Sequence, residues 1–107
     1  MNETDCSEAD FSGANLSEAN FKNACLKSAC FVNAKLGAAD FRGVDFEGSD
    51  FSGAELIEAK FQGADLRQAK NISSEELALA FIDSKTQIPD YIEVNWTSED
   101  TYECRMK

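Results

Sequence analysis

The sequence predicts an all-β solenoid closed at its C-terminal end by an α-helix and followed by a short tail. Three observations carry this reading. Large apolar residues recur every five positions without a slip, at Phe11, Leu16, Phe21, Leu26, Phe31, Leu36, Phe41, Phe46, Phe51, Leu56, Phe61 and Leu66. A small residue stands two positions before each, Ala everywhere except Val44 and Ser49. Gly13, Gly43, Gly48, Gly53 and Gly63 stand two positions after a large residue, where a corner needs permissive φ, and no proline interrupts the tract.

A period of five suits neither regular element. Five residues advance a helix by about 500°, so the large residues would drift around it and never form a stripe. On a straight strand an odd period sends alternate units to opposite faces. The pattern becomes coherent when the chain turns once per unit. The small and large residues then point inwards, the residue between them points outwards, and the next two make the corner.

The units Ala9-Asp10-Phe11, Ala14-Asn15-Leu16, Ala19-Asn20-Phe21, Ala39-Asp40-Phe41 and Ala64-Asp65-Leu66 resemble the pentapeptide-repeat family, whose consensus reads A-(D/N)-(L/F)-X-X. The resemblance covers roughly residues 4–70. Cys25, Cys30, Lys35, Glu55 and Lys60 depart from the Asp/Asn position. The resemblance implies a right-handed quadrilateral parallel β-helix with four units per coil, here about three coils, and a bacterial, cytoplasmic protein. A twenty-residue coil passes an independent check. It stacks Phe11, Phe31 and Phe51 in one column, Phe21, Phe41 and Phe61 in a second, and Leu16, Leu36 and Leu56 in a third. Cys6, Leu26, Phe46 and Leu66 fill the fourth. Stacking like shapes avoids voids in a narrow core.

The chain therefore divides into a β-helix over residues 1–70, a capping helix over 71–86 and an acidic, aromatic-containing tail over 87–107. Ser73 and Glu76 have capping-box spacing, and Leu77, Ala80 and Phe81 form the apolar stripe that covers the last coil. Pro89 stops regular continuation. In the tail Ile92, Val94 and Trp96 alternate with polar residues, as a strand does, and Tyr91, Trp96 and Tyr102 are expected to pin the tail to the body. Few residues precede Cys6, so the N-terminal coil edge is a candidate for self-association unless the first residues fold across it.

Catalytic chemistry finds little to use. The chain has no His, which removes the commonest general base and metal ligand. Cys25 and Cys30 face outwards on adjacent sides, Cys6 faces inwards, and no C-x-x-C occurs, so neither a disulfide nor a zinc site is expected. Unpaired thiols and an acidic N-terminus without an apolar h-region suit the cytoplasm. No apolar run is long enough to span a membrane. No catalytic residue, cofactor or metal is assigned, and the expectation is not an enzyme.

The 107 residues carry 20 acidic and 10 basic side chains, a net charge of −10. Residues 1–70 hold 12 acids and 7 bases, and residues 71–107 hold 8 acids and 3 bases, so each region is net −5. Some members of the family mimic DNA and bind DNA gyrase, which makes mimicry of DNA at gyrase, or at another DNA-binding protein, the alternative function. The side carrying Asp5, Glu8, Asp45, Glu47 and Asp65 is acidic, but Lys22, Arg42 and Lys60 gather on another side, which a mimic of DNA should not do. Lys27, Glu47 and Arg67 alternate in sign up one column and suggest a ladder of surface pairs. The leading expectation is a scaffold or protein-interaction module with another protein as partner and no direct nucleic-acid binding. Its candidate surface is Cys30, Val32 and Asn33 between Ser12 and Ser52, with Ile57 on the adjacent side; Asp45 and Asp65 are the alternative's contact residues.

Overall fold

The computed structural model describes residues 4–99 and 101–107. Parallel bridges join residues twenty apart, from Asp5↔Cys25 and Asp10↔Cys30 through Cys25↔Asp45 and Asp40↔Lys60 to Asp50↔Lys70. Four units therefore make one circuit. Each unit closes on a β-turn in which the small residue's N–H donates to the preceding large residue's carbonyl, as from Ala14 to Phe11 (3.0 Å) and from Ala24 to Phe21 (2.8 Å). Except at Gln68 in the last unit, the third turn residue lies at positive φ, the mark of a type II turn, whether it is Gly53 (69°), Asn33 (58°) or Ala38 (57°).

The outward Asp or Asn has a mechanical job. Its Oδ1 accepts the N–H two residues on, in Asp10–Ser12 (2.9 Å), Asn20–Lys22 (3.0 Å), Asp45–Glu47 (3.0 Å) and Asp50–Ser52 (3.0 Å). This Asx turn pre-sets the corner locally, which explains why so many units use a short side chain with a carbonyl or carboxylate oxygen.

Inside, the columns follow the twenty-residue rule. Phe11, Phe31 and Phe51 stack with centroids 5.4 and 5.1 Å apart, and Phe21, Phe41 and Phe61 repeat at 5.3 Å. Phe46 stands edge-on to Phe41 and Phe51, both at 5.2 Å. Leu26, Leu36, Leu56 and Leu66 are buried, whereas Phe11, Leu16 and Cys6 of the first coil are only partly covered. Ser49, at an inward small position, keeps its hydroxyl in the core by donating to the Phe46 carbonyl (2.6 Å).

The first coil stands at the N-terminal end of the described stack. One coil higher, Cys30, Lys35 and Asp40 donate downwards to Ala9, Ala14 and Ala19. Asp10, Asn15 and Asn20 hold the same position with no described coil beneath them. The expectation that the first residues fold across this edge concerns Met1 to Glu3, which lie outside the described residues.

Beyond Lys70 the structure corrects the expected capping helix. Helix α1 spans only Ser74–Ala78, so Ala80 and Phe81 lie outside it. Ser73 Oγ accepts the Glu76 N–H (3.4 Å), but the Glu76 carboxylate does not close a capping box. It reaches down to the Leu56 N–H (2.8 Å) and stands in for the carbonyl of a missing strand. The chain then returns to the solenoid path, bridging Lys60↔Phe81 and Asp65↔Gln87. One added residue, then a second, shifts the frame, so Ile82 rather than Phe81 turns inwards. Ile82 is buried and Phe81 is 47% exposed.

The tail forms an antiparallel hairpin of β1 (Ile92–Trp96) and β2 (Tyr102–Met106), with Val94 opposite Cys104. Two tyrosines pin this region as expected. Tyr91 Oη donates to the Ala69 carbonyl (2.8 Å) and accepts the Ile72 N–H (3.1 Å). Tyr102 Oη shares its one proton between the Leu77 carbonyl in the last turn of α1 and the Ala80 carbonyl just beyond it. The molecule measures 35 × 22 × 21 Å. Among the described residues, no helix is long and apolar enough to cross a membrane.

Candidate interaction surface

The residues singled out for partner contact fall on three of the four sides. Cys30, Val32 and Asn33 share one unit, between Asp10 and Asp50 in a bridged column. Asn33 is exposed at positive φ, and its amide lies against Gly53 in the coil above, where a Cβ would collide with it. Ile57 projects on the neighbouring side and is 51% exposed. It lies over Gly37, where an added Cβ would come within 3.4 Å of Ile57 Cγ2. Asp45 and Asp65 are bridged vertical neighbours on a third side.

Three outward carboxylates are paired with cations rather than left projecting. Arg67 closes a two-point fork on Asp65, Nε to Oδ1 at 3.0 Å and Nη2 to Oδ2 at 2.9 Å. Arg42 does the same on Asp40, at 2.9 and 2.7 Å. Hydrogen bonds from these guanidinium groups hold both carboxyls below the usual carboxylate range. Lys27 leans towards Asp45 (3.8 Å). The column of Lys27, Glu47 and Arg67 thus forms no ladder among the described residues: Lys27 pairs with Asp45, and Arg67 folds back within its own unit. Two positions apart on one outward face, Asp and Arg meet more easily than side chains on successive coils.

Two of the cysteines are similarly occupied. Ser12 donates its hydroxyl proton to Asp10 Oδ1 (2.6 Å), so its oxygen accepts from the Cys30 thiol (3.0 Å). Ser7, Asp5 and Cys25 repeat the arrangement at 2.7 and 3.1 Å. Among the described residues, no group of three or more His, Cys, Asp and Glu could hold a metal ion.

One feature of the surface lay outside the sequence expectations. Between the last coil and the hairpin, Gln62, Phe81, Ile82, Asp83, Trp96 and Glu99 line an open groove. Nothing in the repeat pattern signals it, because it depends on the frame shift that turns Phe81 outwards.

The comparisons with known proteins agree with this geometry. A family model described as pentapeptide repeats matches, in eight copies, residues 1–37 and 34–70. The chain belongs to the pentapeptide-repeat family. Among solved pentapeptide-repeat structures it is similar to one from the thylakoid lumen of Arabidopsis thaliana, at 32% identity and a TM-score of 0.71 over 82% of this chain and 60% of that one. A pentapeptide-repeat protein from Nostoc PCC 7120 is 34% identical with a TM-score of 0.55, covering 76% of this chain and 74% of that one. QnrB1, a plasmid-mediated fluoroquinolone resistance protein, shares the fold at 21% identity and a TM-score of 0.62, over 85% of this chain and 48% of its own. This repeat protein thus spans about 60% of the Arabidopsis chain's length and about half that of QnrB1. No curated protein matches it.

Proposed function

We propose that this pentapeptide-repeat protein is a non-enzymatic interaction module: a right-handed quadrilateral β-helix whose flat sides hold another protein, in a bacterial cytoplasm. The observation that carries the reading is the commitment of its outward polar groups. Asp10, Asp40, Asp50 and Asp65 spend an oxygen on their own corners, and two of them also bind an arginine. What remains available for recognition is a set of side chains at fixed spacing, among them the apolar Val32 on the low-charge side and Ile57 on its neighbour. The family is in general one of structural and interaction proteins.

Affinity capture by the full chain, compared with Val32→Glu and Ile57→Glu, tests this reading. The expected result is one partner recovered with the native chain and lost with at least one variant. Recovery indifferent to both substitutions overturns the choice of surface, and recovery of no partner overturns the module itself.

A second reading, DNA mimicry at gyrase, draws on the net charge of −10 and the stacked Asp45 and Asp65. Against it, Arg67 covers Asp65 and Lys27 approaches Asp45. In a supercoiling assay this reading requires inhibition that disappears in the Asp45→Asn, Asp65→Asn double variant. Inhibition that survives the change sinks it.

Self-association through the N-terminal edge belongs to the same proposal. Asp10, Asn15 and Asn20 present the strand edge, while Asp5, Glu8, Asp10 and Glu18 surround it with like charge. Pairing should therefore strengthen with salt. Sedimentation that shows only monomer from low to high salt removes it.

A further inference from the structure

The groove between the last coil and the hairpin has an unusual balance of groups. Phe81 and Trp96, 47% and 39% exposed, both line it. Asp83 and Glu99 add two carboxylates, and none of the lining residues is a cation. Gln62 also lines it, and the buried Gln62 Oε1 has no hydrogen-bond donor among the described residues. An acceptor in that state costs free energy until a donor reaches it, and the terminal amide torsion is soft enough to turn it outwards.

Two aromatic faces, two carboxylates and an unpaired carbonyl oxygen exclude most ligands. An anion would meet like charge. A purely apolar group would desolvate the carboxylates and still leave Gln62 Oε1 without a donor. A guanidinium answers every feature: its plane lies on aromatic faces, and its five N–H donors serve carboxylate and carbonyl oxygens together. An ammonium supplies the charge without the flat face or the fork.

We propose that this groove docks an arginine side chain of a partner protein, stacked on Trp96 and Phe81 and hydrogen-bonded to Gln62 Oε1 and the Glu99 and Asp83 carboxylates. Asp83 keeps its charge for the task. Burial works to raise its pKa, but N–H groups of Gly63 (3.1 Å), Lys85 (3.0 Å) and Thr86 (3.0 Å) outweigh that and hold it low. The groove is built by the frame-shifted coil and the hairpin, not by a repeat side. It shares with the interaction reading only the premise that the partner is a protein.

The test uses the full chain and the pentapeptide acetyl-Gly-Gly-Arg-Gly-Gly-amide, with citrulline and lysine versions as controls. NMR follows the indole of Trp96, the chain's one tryptophan, and the Gln62 carboxamide. The arginine peptide should give saturable shifts at both groups with a dissociation constant in the millimolar range, on the order of a weak single-site contact. Citrulline, which keeps the shape and loses the charge, should bind about tenfold more weakly, and lysine should fall between. Glu99→Gln, at an exposed position, and Gln62→Leu should each weaken the arginine peptide by about threefold or more. Citrulline binding as tightly as arginine overturns the proposal, as do shifts that never saturate or affinity unchanged in both variants. Such a failure leaves the interaction reading standing, because the Val32 and Ile57 variants probe other sides.

Discussion

In the repeat tract, backbone meets backbone. The Phe31 N–H finds the Asp50 carbonyl at 2.8 Å, and the Asp50 N–H returns to Ala29 at 3.1 Å. In the cap, side chains take over the same office. Glu76 serves the Leu56 N–H, Asp83 Oδ1 serves the Gly63 N–H (3.1 Å), and Thr86 Oγ1 donates to the Phe61 carbonyl (3.0 Å). The difference shows what ends a solenoid. A coil stacked on its like needs no special residue to satisfy its edge, whereas the last coil combines the returning backbone at Phe81 and Gln87 with polar side chains that serve the Leu56 and Gly63 N–H groups. The tract is thus held by volume and the cap by individual hydrogen bonds, and substitutions should separate the two.

The largest effect should come from the tract's interior. Phe41 is fully buried and stacked between Phe21 and Phe61. Phe41→Ala should cost about 3–5 kcal/mol, enough to unfold a domain of this size, as read from the urea midpoint. Phe81→Ala, on the exposed ring of the cap, should cost about 0.5 kcal/mol or less. Equal losses would mean that the cap is packed as tightly as the coils.

In the cap the decisive residue is Glu76. Glu76→Ala strips the acceptor from the Leu56 N–H and should cost about 1–3 kcal/mol, while Glu76→Gln keeps an oxygen in place and should cost clearly less. Hydrogen exchange at the Leu56 amide is the direct readout, with faster exchange expected in the alanine variant alone. Unchanged exchange in both would show that the carboxylate is dispensable.

The hairpin's attachment should depend on pH. Burial pushes the Tyr102 phenol up to about 12 and the Cys104 thiol up to about 11, so folding favours the neutral form of each. Their contribution is whole below about pH 9, where the unfolded thiol begins to ionise, and is lost as pH rises through about 12. Trp96, which sits 5.2 Å from Tyr102, reports the loosening by fluorescence. Tyr102→Phe removes the bonds to the end of α1, should cost about 1 kcal/mol at neutral pH, and should flatten the change above pH 10. A pH profile unaltered by Tyr102→Phe breaks this account of the attachment.

The same contrast governs what the sequence discloses. The interior columns were legible because a strict period of five over twelve units admits one coherent coil, and the Asx corners follow from the same consensus. The cap was legible only in outline. Ser73 and Glu76 marked a helix start, yet the carboxylate's partner is twenty residues away, and no local pattern points there. Phe81 read as core because it continues the Leu77–Ala80 stripe; the bridges at spacings of 21 and 22 show an inserted frame instead. β2 carries a signal that could have been used: Tyr102, Cys104 and Met106 alternate, and Arg105 faces Glu93 across the hairpin with a 2.7 Å pair. The groove at Gln62 was not readable, since it exists only where those two irregular pieces meet.

The smallest expected effect tests the comparison most sharply, because one chemical change should have opposite signs in the two regions. Ala38 occupies a type II corner at φ 57°, a conformation that costs an L residue about 1–2 kcal/mol. Ala38→Gly relieves that cost and gives back about 0.5–1 kcal/mol through the unfolded chain's greater freedom, so a net gain of about 0.5 kcal/mol is expected. Ala78 is exposed at the end of α1, where the same replacement should lose about 0.5–1 kcal/mol of helix propensity. Paired melting curves decide the matter. Should both variants lose stability, Ala38 would be contributing packing that outweighs its backbone strain. The corners would then be held by side-chain contact between coils, as the cap is, and the division between the two regions would narrow.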